Sequence, residues 1–408
     1  MHRILSFSVV LLAGATAFAD ADFLERPNGI KVGQRLTLRP YVSLSFTIDN
    51  NPDTSRQDET AEYWTVNPGI DFDYDGGNWK INGTAFYQYH AYTSDYHGEL
   101  DNSSYGERLG YSWSNIEDYS AGWSLLLTEQ YIRVDQNDDI KNSGKGLWRD
   151  RQTFDCSAVL QRRFNQYLHC SVNGGYYWLD YANDRDSYAP LYGWNRWTAG
   201  LQIGSTLSRW SDVFIAGSYQ GYEQDSGSEV SRIGRTSDCW TVHGGIQSYM
   251  TERISYCVSG GVSSYSYGDA STTTGFTYQG NLHWKIGETW KTTLLFSSHY
   301  QPSEREYGHA VRSDAVSWGI AKSMIRNKLN ATFDIGYRHN NTEYAHGGAN
   351  SWDLNLITAR LGVNYRINRL LALFARGEYQ EEVNKGSNLG RHYDYDRLRF
   401  TIGVKFTY

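Results

Sequence analysis

The sequence predicts an all-β protein, a transmembrane antiparallel up-and-down β-barrel of about 18 strands. Three observations lead there. Apolar and polar residues alternate with a period of two over long stretches, as expected of strands with one face in lipid and one in water. Tight turns and longer polar loops succeed one another along the chain, the layout of a spanning barrel. The 408 residues are polar without being highly charged: Gly 40, Tyr 33 and Trp 14 accompany 20% charged residues and a mean hydropathy of −0.60. That mixture is poor in helix formers and rich in β-formers. Beyond the first 20 residues no apolar run reaches the ~18 residues of a spanning helix. Helical membrane bundles are thereby excluded, and collagen-like, coiled-coil and disordered chains fail on composition.

The N-terminus reads as a secretory signal over residues 1–19. His2 and Arg3 precede an apolar stretch from Ile4 to Ala13, and Ala17-Phe18-Ala19 supplies the small-x-small cleavage pattern. Cleavage after Ala19 leaves a short periplasmic segment, 20–34, and a single barrel domain, 35–408. Leu36 to Ile48 and Trp79 to Ala91 alternate cleanly. So do Phe276, Tyr278, Gly280, Leu282, Trp284 and Ile286 against their neighbours, and Leu329, Ala331, Phe333, Ile335 and Tyr337 against theirs. Tight turns are expected near Gly76–Asn78, Asn115–Asp118, Asn165–Gln166, Arg209–Asp212, Thr251–Arg253, Gly287–Thr289, Arg326–Asn327 and Asn368–Arg369. Longer loops are expected near 49–61, 93–103, 134–148, 182–191, 225–237, 268–273, 302–310, 340–350 and 384–392. The strands between them are about twice the usual five or six residues, which argues against a propeller or sandwich. Tyr63, Trp64, Trp79, Trp113, Trp123, Trp284 and Trp290 fall near strand ends. Aromatic rings with a polar tip settle at the headgroup level.

The last eight residues are Thr401-Ile402-Gly403-Val404-Lys405-Phe406-Thr407-Tyr408. This pattern, carried by Thr401, Gly403, Phe406 and Tyr408, resembles the C-terminal signal by which the barrel-insertion machinery recognises Gram-negative outer-membrane proteins. Near the start, Arg39-Pro40-Tyr41-Val42-Ser43-Leu44-Ser45-Phe46-Thr47-Ile48-Asp49-Asn50-Asn51 is similar to the first strand and loop of the putative β-barrel porin 2 group. Val66-Asn67-Pro68-Gly69-Ile70-Asp71-Phe72 fits the same style. The resemblance implies an outer-membrane location and an association with exopolysaccharide or capsule systems. Expected partners are outer-membrane lipid and lipopolysaccharide, the insertion machinery, and an acidic polysaccharide or anionic solute, with no nucleic acid.

If the apolar rows face lipid, the polar rows line the lumen. Basic candidates are Arg35, Arg39, Lys80, Arg108, Arg163, Arg196, Lys285, Lys291, Arg338, Arg360, Arg366, Arg376, Arg397, Arg399 and Lys405. Acidic ones are Asp71, Asp73, Asp155, Asp334 and Glu378. A chain of net charge −7 is thus expected to enclose a basic lining. The basic residues concentrate on the last four strands, closing onto the first: Arg338, Arg360, Arg366, Arg376, Arg397, Arg399, Lys405, Arg35 and Arg39. Planar guanidinium groups bind carboxylate or phosphate, and positive rings favour anions in pores. The alternative is that these arginines pair with lumen acids and only stiffen the wall.

No catalytic set is expected. Asp95 lies near His97, and His90, His243, His299, His309, His339 and His346 are scattered, with nothing to bring a nucleophile, base and orienting group together. Asp49, Asn50, Asn51 and Asp53 form an oxygen-rich segment without the spacing or closing Glu of a Ca²⁺ loop, so neither metal nor cofactor is expected. Cys156 and Cys170 fall on apolar rows, Cys239 and Cys257 on polar ones, each pair out of register across its turn, so all four are expected to be free. Loop 134–148, with Asp138, Asp139, Gly144 and Gly146, is a candidate constriction. A passive channel follows; the other reading is a structural or adhesive barrel binding a surface partner through its acidic loops.

Overall fold

The computed structural model describes residues 29–51, 60–93, 102–116, 120–134, 151–181, 193–208, 210–224, 236–248, 253–267, 271–302, 309–325, 328–344, 353–385 and 394–408. The expected signal and the tips of most long loops, including 135–150, lie outside these residues.

Nineteen strands are present among the described residues. They are β1 (Ile30–Val32), β2 (Leu36–Asp49), β3 (Ala61–Asp75), β4 (Trp79–Tyr92), β5 (Asn102–Ser114), β6 (Gly122–Val134), β7 (Arg151–Arg163), β8 (Leu168–Tyr181), β9 (Trp194–Ser208) and β10 (Ser211–Gln224). They continue with β11 (Thr236–Ser248), β12 (Ile254–Tyr267), β13 (Ser271–Ile286), β14 (Trp290–Pro302), β15 (His309–Met324), β16 (Leu329–Tyr344), β17 (Asp353–Arg366), β18 (Leu371–Lys385) and β19 (Tyr395–Thr407). Each of β2 to β19 pairs antiparallel with the next, and β19 returns to β2 from Arg399↔Asp49 to Thr407↔Tyr41. The result is a closed, 18-stranded, up-and-down barrel. The register offsets around the ring accumulate to a shear of about 22 residues. For 18 strands that gives a tilt of about 42° and a backbone radius of about 17 Å, a barrel that side chains alone do not fill.

Alternation turns directly into facing. On β19, Leu398, Phe400, Ile402, Val404, Phe406 and Tyr408 are exposed on the outer surface, while Arg397, Arg399, Thr401 and Lys405 point inward. Indole rings gather at the tight-turn end, where Trp79 sits opposite Trp113 and stacks on Tyr74 at 4.8 Å. The expected tight turns at 76–78, 165–166, 287–289 and 368–369, which lie wholly among the described residues, are found there; those at Gly77 and Gly287 need a positive φ, +95° and +72°, which glycine adopts without steric cost.

Residues 30–32, within the segment expected to precede the barrel, form β1. Shear leaves the start of β2 extending past the end of β19, since the last ladder contact is Tyr408 N donating to Pro40 O at 3.0 Å. Beyond it, β1 takes up the vacant edge of Leu36–Leu38. An unpaired edge beside a membrane is thereby covered.

The wall departs from a regular ring at one place. β13 stays paired with β12 up to Ser271, and β14 with β15 up to Pro302. The β13–β14 ladder, however, stops at Gln279↔Ser297. Above that level β14 and β15 come within 8 Å of β12, although β13 separates them lower down. The extracellular ends of β14 and β15 therefore fold into the lumen, with their outer face on the inner face of β12 and β13.

Candidate functional site

Register places eight of the nine predicted wall residues on the inner face: Arg39 on β2, Arg338 on β16, Arg360 and Arg366 on β17, Arg376 on β18, and Arg397, Arg399 and Lys405 on β19. Arg35 is the exception. It lies in the exposed turn between β1 and β2, its carbonyl accepting from Asp75 N at 2.9 Å, because the β1 hairpin takes the chain off the wall just before Leu36. In the C-terminal pattern Thr401 and Gly403 face inward and Phe406 and Tyr408 outward. Gly403 has a local reason: an added Cβ would lie 2.5 Å from the Phe374 ring and 2.6 Å from Leu44 O, so the ring of Phe374 rests on bare backbone.

Several of these arginines pair with lumen acids, as the second reading of the wall expects. Asp49, at the end of β2, is fully buried and receives Arg397 Nε at 3.0 and 2.9 Å on its two oxygens and Arg397 NH2 at 2.5 Å. Arg399 Nε adds a bond at 3.1 Å and Asn51 N one at 3.2 Å. Asn50 Oδ1 accepts from Leu398 N at 2.6 Å, and Asn51 Nδ2 donates to Asp396 O at 3.0 Å. The oxygen-rich segment of the first loop is thus a clamp across the β19–β2 closure; Asp53 lies outside the described residues. Arg360 meets Glu378 at 2.8 Å, Glu378 approaches Arg399 at 3.8 Å, and Arg39 pairs with Asp73. Lys405 lies 4.1 Å over the Tyr41 ring and Arg376 5.3 Å over that of Phe374. On this wall two further acids face inward, Asp49 and Glu382; alternation did not mark them as lining because they sit where strand passes into loop.

The opposite wall carries a group that alternation did not reveal. Tyr177 and Leu179 of β8, Trp194 of β9, Tyr222 of β10, Cys239 of β11, Tyr265 of β12 and Tyr300 of β14 form one packed cluster. Successive ring centroids are 4.7 Å (Tyr177–Trp194), 5.8 Å (Trp194–Tyr222), 6.1 Å (Tyr222–Tyr265) and 6.3 Å (Tyr265–Tyr300) apart. Tyr300 closes it because β14 has folded inward. Its hydroxyl lies 2.4 Å from where a Cβ on Gly275 would stand, and its carbonyl accepts from Tyr222 OH at 3.4 Å. One signal was available in the sequence. Arg312 and Asp314, ion-paired at 3.2 Å, stand on the outer row of β15, a place where charges facing lipid are costly; at this level that row sits against protein.

Among the described residues the histidines form no catalytic set. His90 meets Thr65 Oγ1 at 2.8 Å and Gln88 Nε2 at 2.6 Å, and His243 meets Thr277 Oγ1 at 2.8 Å. Asp95, His97 and His346 lie outside the described residues, as does the candidate constriction in loop 134–148. All four cysteines are free. Cys156 and Cys170 face outward, opposite Tyr176 and Arg162; Cys239 and Cys257 face inward, opposite Tyr265 and Gln247.

Comparison with known families settles what this barrel is. The family described as putative β-barrel porin 2 matches residues 25–408. The chain belongs to that family. It is a porin-like outer-membrane barrel, and the match covers every described strand. Solved structures similar to this family member include the FrpB iron transporter from Neisseria meningitidis in its F3-3 variant, at 9% identity, covering 92% of this chain and 82% of that one, with a TM-score of 0.46. The F5-1 apoprotein form of FrpB gives 8% identity, 92% and 82% coverage and a TM-score of 0.48. The siderophore receptor PirA from Pseudomonas aeruginosa gives 7%, 93% and 81%, and 0.44. No curated protein matches the sequence.

Proposed function

We propose that this barrel is a passive outer-membrane channel with an anion-favouring lumen, passing small anionic solutes or an acidic polysaccharide. The observation that carries the reading is the charge of one continuous wall. Strands β16 to β19 and β2 turn eight cations inward (Arg39, Arg338, Arg360, Arg366, Arg376, Arg397, Arg399 and Lys405) against four carboxylates, Asp49, Asp334, Glu378 and Glu382. Arg397 is withdrawn from solutes by its clamp, but Arg376, exposed to the lumen, has a ring beneath it. Fixed cations along an aqueous path raise the local anion concentration. The chain brings no energy source to this transport, and we assign it no enzymatic role.

Reversal potentials in planar bilayers under a KCl gradient test the proposal. Anion preference is expected, and replacing Arg366 and Arg376 with Gln reduces it; these two are chosen because they leave the Asp49 clamp intact. Cation preference overturns the reading. Absence of conductance would leave a structural or adhesive barrel acting through loops 49–61 and 93–103. Export through residues 1–19, with cleavage after Ala19, belongs to the same proposal and is checked by sequencing the mature N-terminus. Outer-membrane lipid, lipopolysaccharide and, through β19, the insertion machinery are its proposed partners.

A further inference from the structure

The inward fold of β14 and β15 brings Tyr300 against Tyr222 and Tyr265 on the lumen side of the wall, and the neighbouring strand β9 carries three buried donors together. Trp194, Arg196 and Thr198 are consecutive inward residues of β9, only 6%, 7% and 8% exposed. Each buries a donor with no hydrogen-bond partner: the indole Nε1–H, the guanidinium Nε–H and the Thr198 hydroxyl. On the inner row of β14, His299 Nδ1 is likewise buried without a partner, its Nε2 standing 3.3 Å from Gln301 Oε1. Buried donors are almost always satisfied, and three in succession on one strand mark a place shaped for acceptors the chain does not supply.

The chemistry of those acceptors can be read from the surroundings. Arg196 differs from the paired arginines of the far wall: no carboxylate of the described residues lies within 4.0 Å of it. Its guanidinium instead lies 5.2 Å from the Tyr177 ring and 5.8 Å from that of Trp194, both flat apolar faces. Asp155, inward on β7, acts on it only from a distance. A fixed cation calls for an anionic group, neighbouring N–H and O–H donors for several oxygens, and aromatic faces for a flat C–H surface.

We propose that Trp194, Arg196 and Thr198, with the Tyr177 ring, form a subsite for one carboxylated sugar residue of the hexuronate type. The carboxylate meets Arg196, ring or hydroxyl oxygens meet the indole and Thr198, and the apolar sugar face lies on the aromatic rings. The subsite deepens the channel reading and, as a step on a transport path, rests on it.

The test is single-channel recording with galacturonate oligosaccharides, with neutral galactose oligosaccharides as the control. Wild-type channels should show transient block by the acidic oligomer and not by the neutral one. Arg196→Gln should weaken block about tenfold to a hundredfold, the range for losing a bond to a charged group. Trp194→Phe, which keeps a ring and removes the N–H, supplies a gentler second variant and should weaken block about twofold to tenfold, the range for losing a neutral hydrogen bond. Conductance without block in wild type, or block untouched by both variants, overturns the subsite. If no channel opens, tryptophan fluorescence of the detergent-solubilised full chain decides separately. Saturable, Arg196-dependent quenching by the acidic oligomer upholds the subsite while the channel reading fails, and its absence removes both.

Discussion

The Asp49 clamp gives the sharpest stability prediction. Asp49 is 0% exposed and Arg397 4%, so solvent screens neither charge. The carboxylate receives three contacts from Arg397, one from Arg399 and one from a backbone amide. Asp49→Asn removes the charge and leaves Arg397 buried with a neutral partner. Stranding one member of a buried pair costs about 3–5 kcal/mol, a large part of the 5–15 kcal/mol typical of a whole fold. Arg399 is half-open to the lumen and can turn to Glu378, already 3.8 Å away, so the loss should stay within that range. The assay is reversible urea unfolding in lipid vesicles, followed by tryptophan fluorescence and by heat-modifiable gel mobility. The double variant Asp49→Leu with Arg397→Met should recover most of the loss, because apolar replacement of a whole buried pair is often neutral. A single Asp49→Asn change within about 0.5 kcal/mol of wild type would refute the claim that the barrel is locked at this closure.

Other consequences are as direct. Gly403→Val drives side-chain atoms into Leu44 O, which is backbone and cannot step aside, and should destabilise by at least the ~1–3 kcal/mol of overpacking, with less folded barrel on semi-native gels. Gly275→Ala meets the Tyr300 hydroxyl at 2.4 Å and should push the inward fold of β14 aside; a larger single-channel conductance checks it. Glu129 faces outward from β6 in a groove of about 580 Å³ among Leu109, Leu127, Cys156 and Gly174. A carboxylate there costs something in lipid, so Glu129→Leu should stabilise the barrel in vesicles by about 1–2 kcal/mol. Cys239, buried in the aromatic cluster, should resist thiol reagents in the folded protein and react once it is unfolded.

The ring was legible because a period of two is written residue by residue. One face of each strand meets lipid, so an apolar row such as Leu398, Phe400, Ile402, Val404 and Phe406 declares both the strand and its orientation. Tight turns declared themselves through Gly76–Asn78, Asn368–Arg369 and their equivalents. Eight wall residues could therefore be placed inward before any register was known. What alternation leaves unwritten is which inward residue meets which. Whether Arg397 waits for a solute or is held by Asp49 depends on β19 lying beside β2, a contact between positions 348 residues apart. The short β1 was hidden for a similar reason: its place arises from the shear of the closed ring, a property of all eighteen strands together.

The inward fold of β14 and β15 was missed for a different reason. A strand that leaves the wall keeps its alternation, so Ser297 to Pro302 still reads as barrel. The trace is a defect in the apolar row, where Val316 and Trp318 of β15 give way to Asp314 and Arg312 toward the extracellular end. Taken as lipid-facing, those two charges are an unexplained cost. With the end of β15 displaced they pair with each other at 3.2 Å, Asp314 also accepts from Tyr278 OH at 3.4 Å, and Arg312 reaches the neighbourhood of Gly275 beside the Tyr300 hydroxyl. The same displacement that spares these charges from lipid carries Tyr300 to the aromatic cluster, beside the unpartnered donors of β9. The position of the proposed subsite and the break in the β13–β14 ladder thus have one structural origin. A variant that restored that ladder would therefore widen the lumen and abolish the subsite together.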